Sequence, residues 1–327
     1  MTGLIDAEGE VMTIAHATRR AALITGAAGN IGSRVVEHLA QQHKSVIGLY
    51  RNKLPASHKN VLPLCCDLLN PEAVVAPLKS TDTVIHLAWQ GGILGSSPKT
   101  SSSSDGIQHA DNVVLTANIV KAMERANARK IILLSWVGVD RKSPNAMLRE
   151  KYWAENIVIN SAIPEKIILR AGVIGGCGVD GEFFKAANPV TRMPLLLPLP
   201  RQADGLVLTT ISDILWAIDE ALRVSSQKDQ YCRIVDLTST TPSSAADLVR
   251  AIDCKVRGKK RLTVGGYLGD VLFHWSERKF GAAKTGEPRL TDFFAPSRLS
   301  GKTPAEGIPP TTTGLQIGHK VDINSAL

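Results

Sequence analysis

Hydrophobic positions between residues 21 and 178 follow two alternating rhythms. Short runs rich in branched aliphatic residues read as strands at Ala21–Thr25, Ser45–Tyr50, Val61–Cys66, Thr83–Ala88, Lys130–Ser135 and Lys166–Arg170. Between them, apolar residues return every three or four positions, as on one face of a helix. Ile31–Gln41, Ala110–Ala126 and Glu150–Ser161 have this rhythm; in the longest, Val113, Ala117, Val120 and Met123 share a face. Apolar strands separated by such helices predict βαβ units, with a parallel sheet covered on both sides. Right-handed crossovers then give a doubly wound, Rossmann-type α/β fold.

After Gly178 the pattern changes. Pro189, Pro194, Pro198 and Pro200 interrupt residues 185–205 and exclude long regular elements there. Asp213 reads as the N-cap or first-turn acid of a helix Ile214–Arg223, Tyr231–Leu237 as one more strand, and Ser243–Ile252 as a helix entered at Pro242-Ser243. The expected organisation is a flexible tail at 1–19 and a core at 20–178 completed by 211–237. Residues 179–210 and 238–327 form a smaller C-terminal substrate subdomain and tail. The serine-rich stretch Gly95–Gly106 leaves the carboxyl end of a strand, where ligands of open α/β sheets bind. It reads equally as a mobile substrate-side loop or as a plain surface loop. Beyond about residue 285, Pro, Gly, Thr and Ser predict poor order.

Composition narrows the class. With 44% hydrophobic and 21% charged residues among 327, the chain is neither disordered, collagenous nor coiled coil as a whole. No apolar run approaches the roughly 18 residues of a membrane span. The first twenty residues carry Asp6, Glu8 and Glu10, unlike a secretory leader, so no membrane partner is expected. Five cysteines without CxxC spacing predict a reduced, cytoplasmic protein, with neighbours Cys65 and Cys66 as small buried thiols. The net charge of +8 owes much to Lys255, Arg257, Lys259, Lys260 and Arg261, which form either a solvated basic face or an anion-facing patch. That patch would meet a phosphorylated substrate or an acidic surface. No stacking aromatics are interleaved, so no nucleic-acid partner is expected. No two histidines stand at the i, i+4 spacing of a ligand pair with an acid, so no metal is expected. Neither a G-x-S-x-G elbow nor a P-loop occurs, setting aside α/β-hydrolase and P-loop chemistry.

The most informative segment is Thr25-Gly26-Ala27-Ala28-Gly29-Asn30-Ile31-Gly32, lying directly after a strand and before a helix. Small side chains there allow a tight turn, and the helix N-terminus offers N–H groups and partial positive charge to a pyrophosphate. Gly32 also lets helix and sheet approach closely. About twenty residues on, the second strand ends in Tyr50-Arg51-Asn52. An acid there would bind the ribose 2′-hydroxyl of NAD, whereas the Arg51 guanidinium suits a 2′-phosphate. The expected cofactor is NADP, with NAD left open. Arg34 either assists or lies on the exposed helix face.

The Thr25-Gly26-x-x-Gly29-x-x-Gly32 segment resembles the extended and atypical short-chain dehydrogenase/reductases, which include sugar epimerases, dehydratases and NmrA-like proteins. Further stretches agree in order. Cys66-Asp67-Leu68 is similar to the family's acid-plus-aliphatic pair at the adenine. Asp82-Thr83-Val84-Ile85-His86-Leu87-Ala88, followed by Trp89, resembles the fourth strand, whose end passes the cofactor. Asn112-Val113-x-x-Thr116-x-Asn118 resembles a family helix signature. Leu133-Leu134-Ser135 ends the fifth strand, and Lys151-x-x-Ala154-Glu155 is similar to the helix of the catalytic lysine. Ile168-Leu169-Arg170-Ala171-Gly172 and Ile211-Ser212-Asp213-Ile214 also match. The resemblance covers about residues 20–240. It implies strand order 3-2-1-4-5-6-7, with Gly26, Ala28, Gly29, Asn30, Ile31, Gly32, Arg51, Asp67, Leu68, Leu87, Ala88, Trp89, Ser135 and Lys151 around the cofactor.

The catalytic pattern departs from that family. Its acid/base is a Tyr four residues before the Lys, on the same helix face; here that position is Met147. Tyr152 adjoins Lys151 and points about 100° away around the helix. Ser135 is followed by Trp136, where a second hydroxyl often stands. Two functions stay open. One is a reductase or epimerase/dehydratase-like enzyme transferring hydride with a small-molecule substrate, a nucleotide sugar among the candidates. Its catalytic residues would be Lys151, Ser135 and Tyr152, with His86 or Tyr267 as other proton donors, although His86, on a predicted buried strand, also reads as a satisfied core residue. The other is a non-catalytic NADP-binding redox sensor or assembly subunit. Helices 110–126 and 150–161 pair across dimers in many relatives, so a homodimer is a further expectation.

Overall fold

The computed structural model describes residues 4–5, 11–12, 22–42, 44–51, 59–90, 100–102, 108–143, 145–175, 196–200, 208–225, 230–239, 244–258, 261–280, 311–312 and 315–317. Seven strands carry the main sheet: β1 (Ala22–Thr25), β2 (Val46–Tyr50), β3 (Val61–Cys65), β4 (Thr83–His86), β5 (Lys130–Trp136), β6 (Glu165–Ala171) and β7 (Tyr231–Ser239). They lie in the order 3-2-1-4-5-6-7 and every neighbouring pair is parallel. Thr311–Thr312 and Leu315–Ile317 add two short segments along the outer edge of β7.

The helices are α1 (Asn30–Gln41), α2 (Pro71–Leu78), α3 (Asp111–Arg125), α4 (Ala146–Ile159), α5 (Ile211–Arg223), α6 (Ala245–Arg257) and α7 (Gly266–Phe280). Side chains alternate across the strands, and the two faces make two cores. Leu23, Ile47, Val84, Ile131 and Ile168 pack toward α2, α3 and α4. Ile24, Val46, Ile85, Ile132 and Ile167 pack toward α1 and α5. A third cluster joins Trp136, Met147 and Leu148 to Leu197, Leu248 and Phe273, tying the start of α4 to the C-terminal elements.

Boundaries depart from the sequence pattern where capping decides them. α4 begins four residues before Glu150 because the Asn145 side chain accepts the N–H groups of Met147 and Leu148. α5 begins at Ile211, not Ile214. Thr210 is its N-cap, and Asp213 is the third helical residue, returning a hydrogen bond to the Thr210 N–H at 2.7 Å. Ser244, rather than Pro242-Ser243, caps α6. Apolar periodicity missed α2, whose start is marked by Asn70 and Pro71, and α7. Cys66 is buried but Cys65, on the opposite side of the chain, is exposed. Trp216 is 41% exposed and lines a cleft between α5 and strands β6 and β7. Leu4–Ile5 pairs with Val11–Met12 within the expected tail, and Thr100–Ser102 pairs with Gln108–Ala110 at the serine-rich stretch. Phe183-Phe184, Cys177 and most of Gly95–Gly106 lie outside the described residues.

Candidate functional site

At the end of β1 the chain turns through Gly26, whose φ is +70°. A Cβ on Gly26 would sit 2.8 Å from the Ala88 backbone, and one on Gly32 only 2.0 Å from the Gly26 carbonyl oxygen. The turn is therefore pressed between the end of β4 and the start of α1, with room for hydrogen alone. The Gly29 N–H closes it on the Gly26 oxygen at 2.9 Å. α1 then starts at Asn30 with no capping side chain and no acid in its first turn. Its first N–H groups, at Asn30, Ile31 and Gly32, belong to the set that helix geometry leaves for an outside acceptor. Arg34 folds back on this turn, donating from Nη1 to the Asn30 carbonyl at 2.6 Å and to its Oδ1 at 2.5 Å.

A cleft of about 160 Å³ opens beside the turn, walled by Gly26, Arg51, Asp67, Leu68, Ala88 and Trp89. These residues come from four strand ends and were each expected at the cofactor. Arg51 is exposed at the end of β2. Asp67 Oδ1 accepts the Leu69 N–H at 3.1 Å, shaping the turn that buries Leu68. Ala28 lies in the glycine turn, and Ile31 packs from α1 against the sheet.

Thr25 holds the β4 end in place. Its Oγ1 accepts the N–H groups of Leu87 and Ala88, each at 3.1 Å, and so donates its own proton to His86 Nδ1 at 2.7 Å. His86 Nε2–H then donates to Thr116 Oγ1 at 3.2 Å, which donates onward to the Asn112 carbonyl. With both ring nitrogens engaged, burial and then the Lys151 charge push the His86 pKa down to about 3. His86 is thus a neutral core residue hydrogen-bonded through both ring nitrogens.

The α3 signature acquires a physical role that sequence reasoning had not supplied. Asn112 clamps residue 90, accepting the Gln90 N–H at 2.6 Å and donating to its carbonyl at 3.0 Å, and reaches Glu150 on α4 at 2.8 Å. Asn118 donates to the carbonyls of Leu68 and Leu69. One helix thus pins two segments that border the cleft, at residues 68–69 and 90, and ties them to α4.

Lys151 enters from α4. Its Nζ donates to the Leu134 carbonyl at 2.8 Å and stands 3.7 Å from the centre of the Trp89 ring. Burial brings its pKa down to about 7, against the opposing pull of Glu155 and Glu150. One turn on, Glu155 forms a buried two-point pair with Arg170 at 2.9 and 2.6 Å. Ser135 Oγ and Trp136 Nε1 are buried with no hydrogen-bond partner among the described residues. Met147 is buried in the third core cluster together with Trp136, and Tyr152 packs against that same cluster. Tyr267 is 75% exposed on α7. Trp89 walls the cleft and Lys151 lies against its ring, whereas Tyr152 packs against the apolar cluster.

The sheet order, the glycine turn and the cleft at the strand ends define a Rossmann-type dinucleotide-binding protein. Residues 26–174 match the family model described as NAD(P)H-binding. That region has the fold of UDP-sugar 4-epimerases. UDP-glucuronic acid 4-epimerase from Bacillus cereus, solved with UDP-glucuronic acid and NAD, superposes with a TM-score of 0.56 at 21% identity, over 75% of this chain and 85% of that one. UDP-glucose 4-epimerase from Thermus thermophilus, solved with NAD, gives 0.55 at 18% identity, over 75% and 86%. At these identities the likeness is one of fold. NADH dehydrogenase [ubiquinone] 1 alpha subcomplex subunit 9, a mitochondrial protein of Arabidopsis thaliana, is 27% identical over 163 residues. That stretch is 47% of this chain and 38% of the relative. Among the described residues no acidic, His or Cys cluster could hold a metal, and no helix is long and apolar enough to cross a membrane.

Proposed function

We propose that this chain binds NADP(H) as a resident ligand, in a sensing or assembly role, and does not turn it over on a sugar substrate. The observation that carries this reading is Met147. The position four residues before Lys151 holds a thioether packed with Trp136 in an apolar cluster shared with Leu197, Leu248 and Phe273. A thioether has no proton to give, and the apolar contact fills the side of Lys151 where a phenol would act. The glycine cradle, which a single Cβ would block, fits a pyrophosphate, with the first N–H groups of α1 as donors. Arg51 supports the choice of a 2′-phosphate, and Asp67 and Leu68 would border the adenine. Ala88, Trp89, Ser135 and Lys151 would line the nicotinamide half.

A second reading keeps the enzyme. Bound NADP(H) would supply the hydride, and Lys151, with its pKa near neutrality, would carry the proton beside the unpartnered Ser135 hydroxyl. The substrate would be a small molecule such as a UDP-sugar, as in the epimerases of similar fold. The free cysteines 65, 66, 232 and 254 support a reducing compartment such as the cytoplasm. Trp153, 47% exposed on α4, supports a homodimer through α3 and α4.

A rapid-mixing experiment separates the two. Protein loaded with NADP or NADPH is mixed with UDP-glucose or UDP-glucuronic acid, and the near-ultraviolet absorbance of reduced nicotinamide is followed. Binding without any redox change in either direction is expected. Reduction of bound NADP on mixing would overturn the resident-ligand reading in favour of the enzyme.

A further inference from the structure

The C-terminal elements carry an apolar surface that neither the cleft nor the core uses. α7 buries Phe273 and Ser276 on one side. On the other, Tyr267 is 75% exposed, Leu268 60%, and Val271 and Trp275 are nearly half exposed. At about 100° per residue these four fall within an arc of about 100°, roughly opposite Phe273. The solvent side of this helix is thus its second apolar face, the reverse of an ordinary surface helix. Leu262, in the short strand Leu262–Val264 packed beside α7, is 72% exposed, and Val256 on α6 is half exposed.

Charge accompanies this surface. Residues 250–280 contain eight Lys or Arg against three Asp or Glu. Asp253, one of the three acids, already carries both Arg257 and Arg261. Arg261 is buried in that pair, but by sequence the stretch that holds the apolar arc still carries five more basic than acidic residues.

We propose that the exposed apolar arc of α7 is a docking face for an anionic lipid surface. The helix would lie in the membrane plane, with Leu268 and Val271 entering the acyl boundary and Tyr267 and Trp275 at headgroup level. Amphipathic in-plane helices bind through this combination of apolar area, interfacial aromatics and cationic residues. The helix does not span the bilayer: its 15 residues include Asp270, Glu277, Arg278 and Lys279. This changes the expectation of a protein without a membrane partner. It also identifies the acidic surface left open by the basic cluster as lipid, since the arc is apolar as well as cationic.

The test is co-sedimentation of the full chain with vesicles of phosphatidylcholine alone or mixed with phosphatidylglycerol. Binding to the mixed vesicles is expected to be about tenfold stronger or more, and to fall as salt is raised. Leu268→Ser with Val271→Ser replaces exposed side chains, so a wild-type circular dichroism melt is expected with binding lost. Lys259→Glu with Lys260→Glu is expected to lose the preference for anionic vesicles. Absence of binding to either vesicle, or equal binding by the Ser variant, would overturn the proposal. So would sedimentation velocity revealing a self-associated chain that the Ser variant dissolves, because the face would then join two copies.

Discussion

Gly26 and Gly258 share a backbone conformation, with φ of +70° and +69°, but not an environment. A Cβ on Gly258 meets nothing within 4 Å, while one on Gly26 comes 2.8 Å from the nitrogen and Cα of Ala88. Gly258→Ala therefore isolates the left-handed backbone penalty, about 1–2 kcal/mol. Gly26→Ala carries that penalty and a collision besides. Carbon atoms rest about 3.5–4.0 Å apart, so the Ala88 backbone would have to retreat by roughly 0.7 Å or more. The Ala88 N–H is held by Thr25 Oγ1 at 3.1 Å, and moving it strips that bond. An unsatisfied buried donor costs about 1–3 kcal/mol, which brings Gly26→Ala to about 2–5 kcal/mol. Urea unfolding followed by circular dichroism measures both losses, and fluorescence titration with NADPH measures the consequence at the cleft. Gly258→Ala is expected to bind NADPH as the parent does, and Gly26→Ala about tenfold or more weakly. Equal destabilisation by the two substitutions, or parental NADPH affinity in Gly26→Ala, would refute the reasoning.

Three further substitutions probe the groups around the cleft. Arg51→Ala is expected to weaken NADPH about tenfold or more while leaving NADH unchanged, read by parallel fluorescence titrations. Thr25→Val removes the acceptor of two backbone N–H groups and the donor to His86, at roughly 1–3 kcal/mol for each group left unsatisfied; urea unfolding is the check. Lys151 titrates at about 7 in the folded chain and 10.5 when unfolded, so between these values only the unfolded chain holds the proton. Stability should then rise with pH across that window, and Lys151→Met should flatten the rise in unfolding curves taken at several pH values.

The sheet was legible because each strand is a short apolar run and each crossover helix has its own period. Even the strand order followed from the family resemblance of the glycine turn. Helix starts were less legible, since Asn145, Thr210 and Ser244 decide them through single side-chain bonds that periodicity does not register. α7 escaped because it is apolar on both faces, so no amphipathic stripe marked it. Around the cleft, the residue types were readable, but their duties were not. His86 read as either a core residue or an acid, and Thr25 and Thr116 on its two nitrogens favour the core reading. Asn112 matched a signature whose meaning, a clamp on Gln90, depends on two segments more than twenty residues apart coming together. Tyr152 was offered as a stand-in for the absent phenol, yet it packs against the cluster that buries Met147.

The central claim is that the glycine turn and Arg51 make a single site for NADP(H). Isothermal titration of the full chain with NADPH and, separately, NADH tests it most directly. One site per chain is expected, with NADPH the tighter ligand by about tenfold or more. Absence of binding by either nucleotide, or NADH binding as tightly as NADPH, would contradict the account.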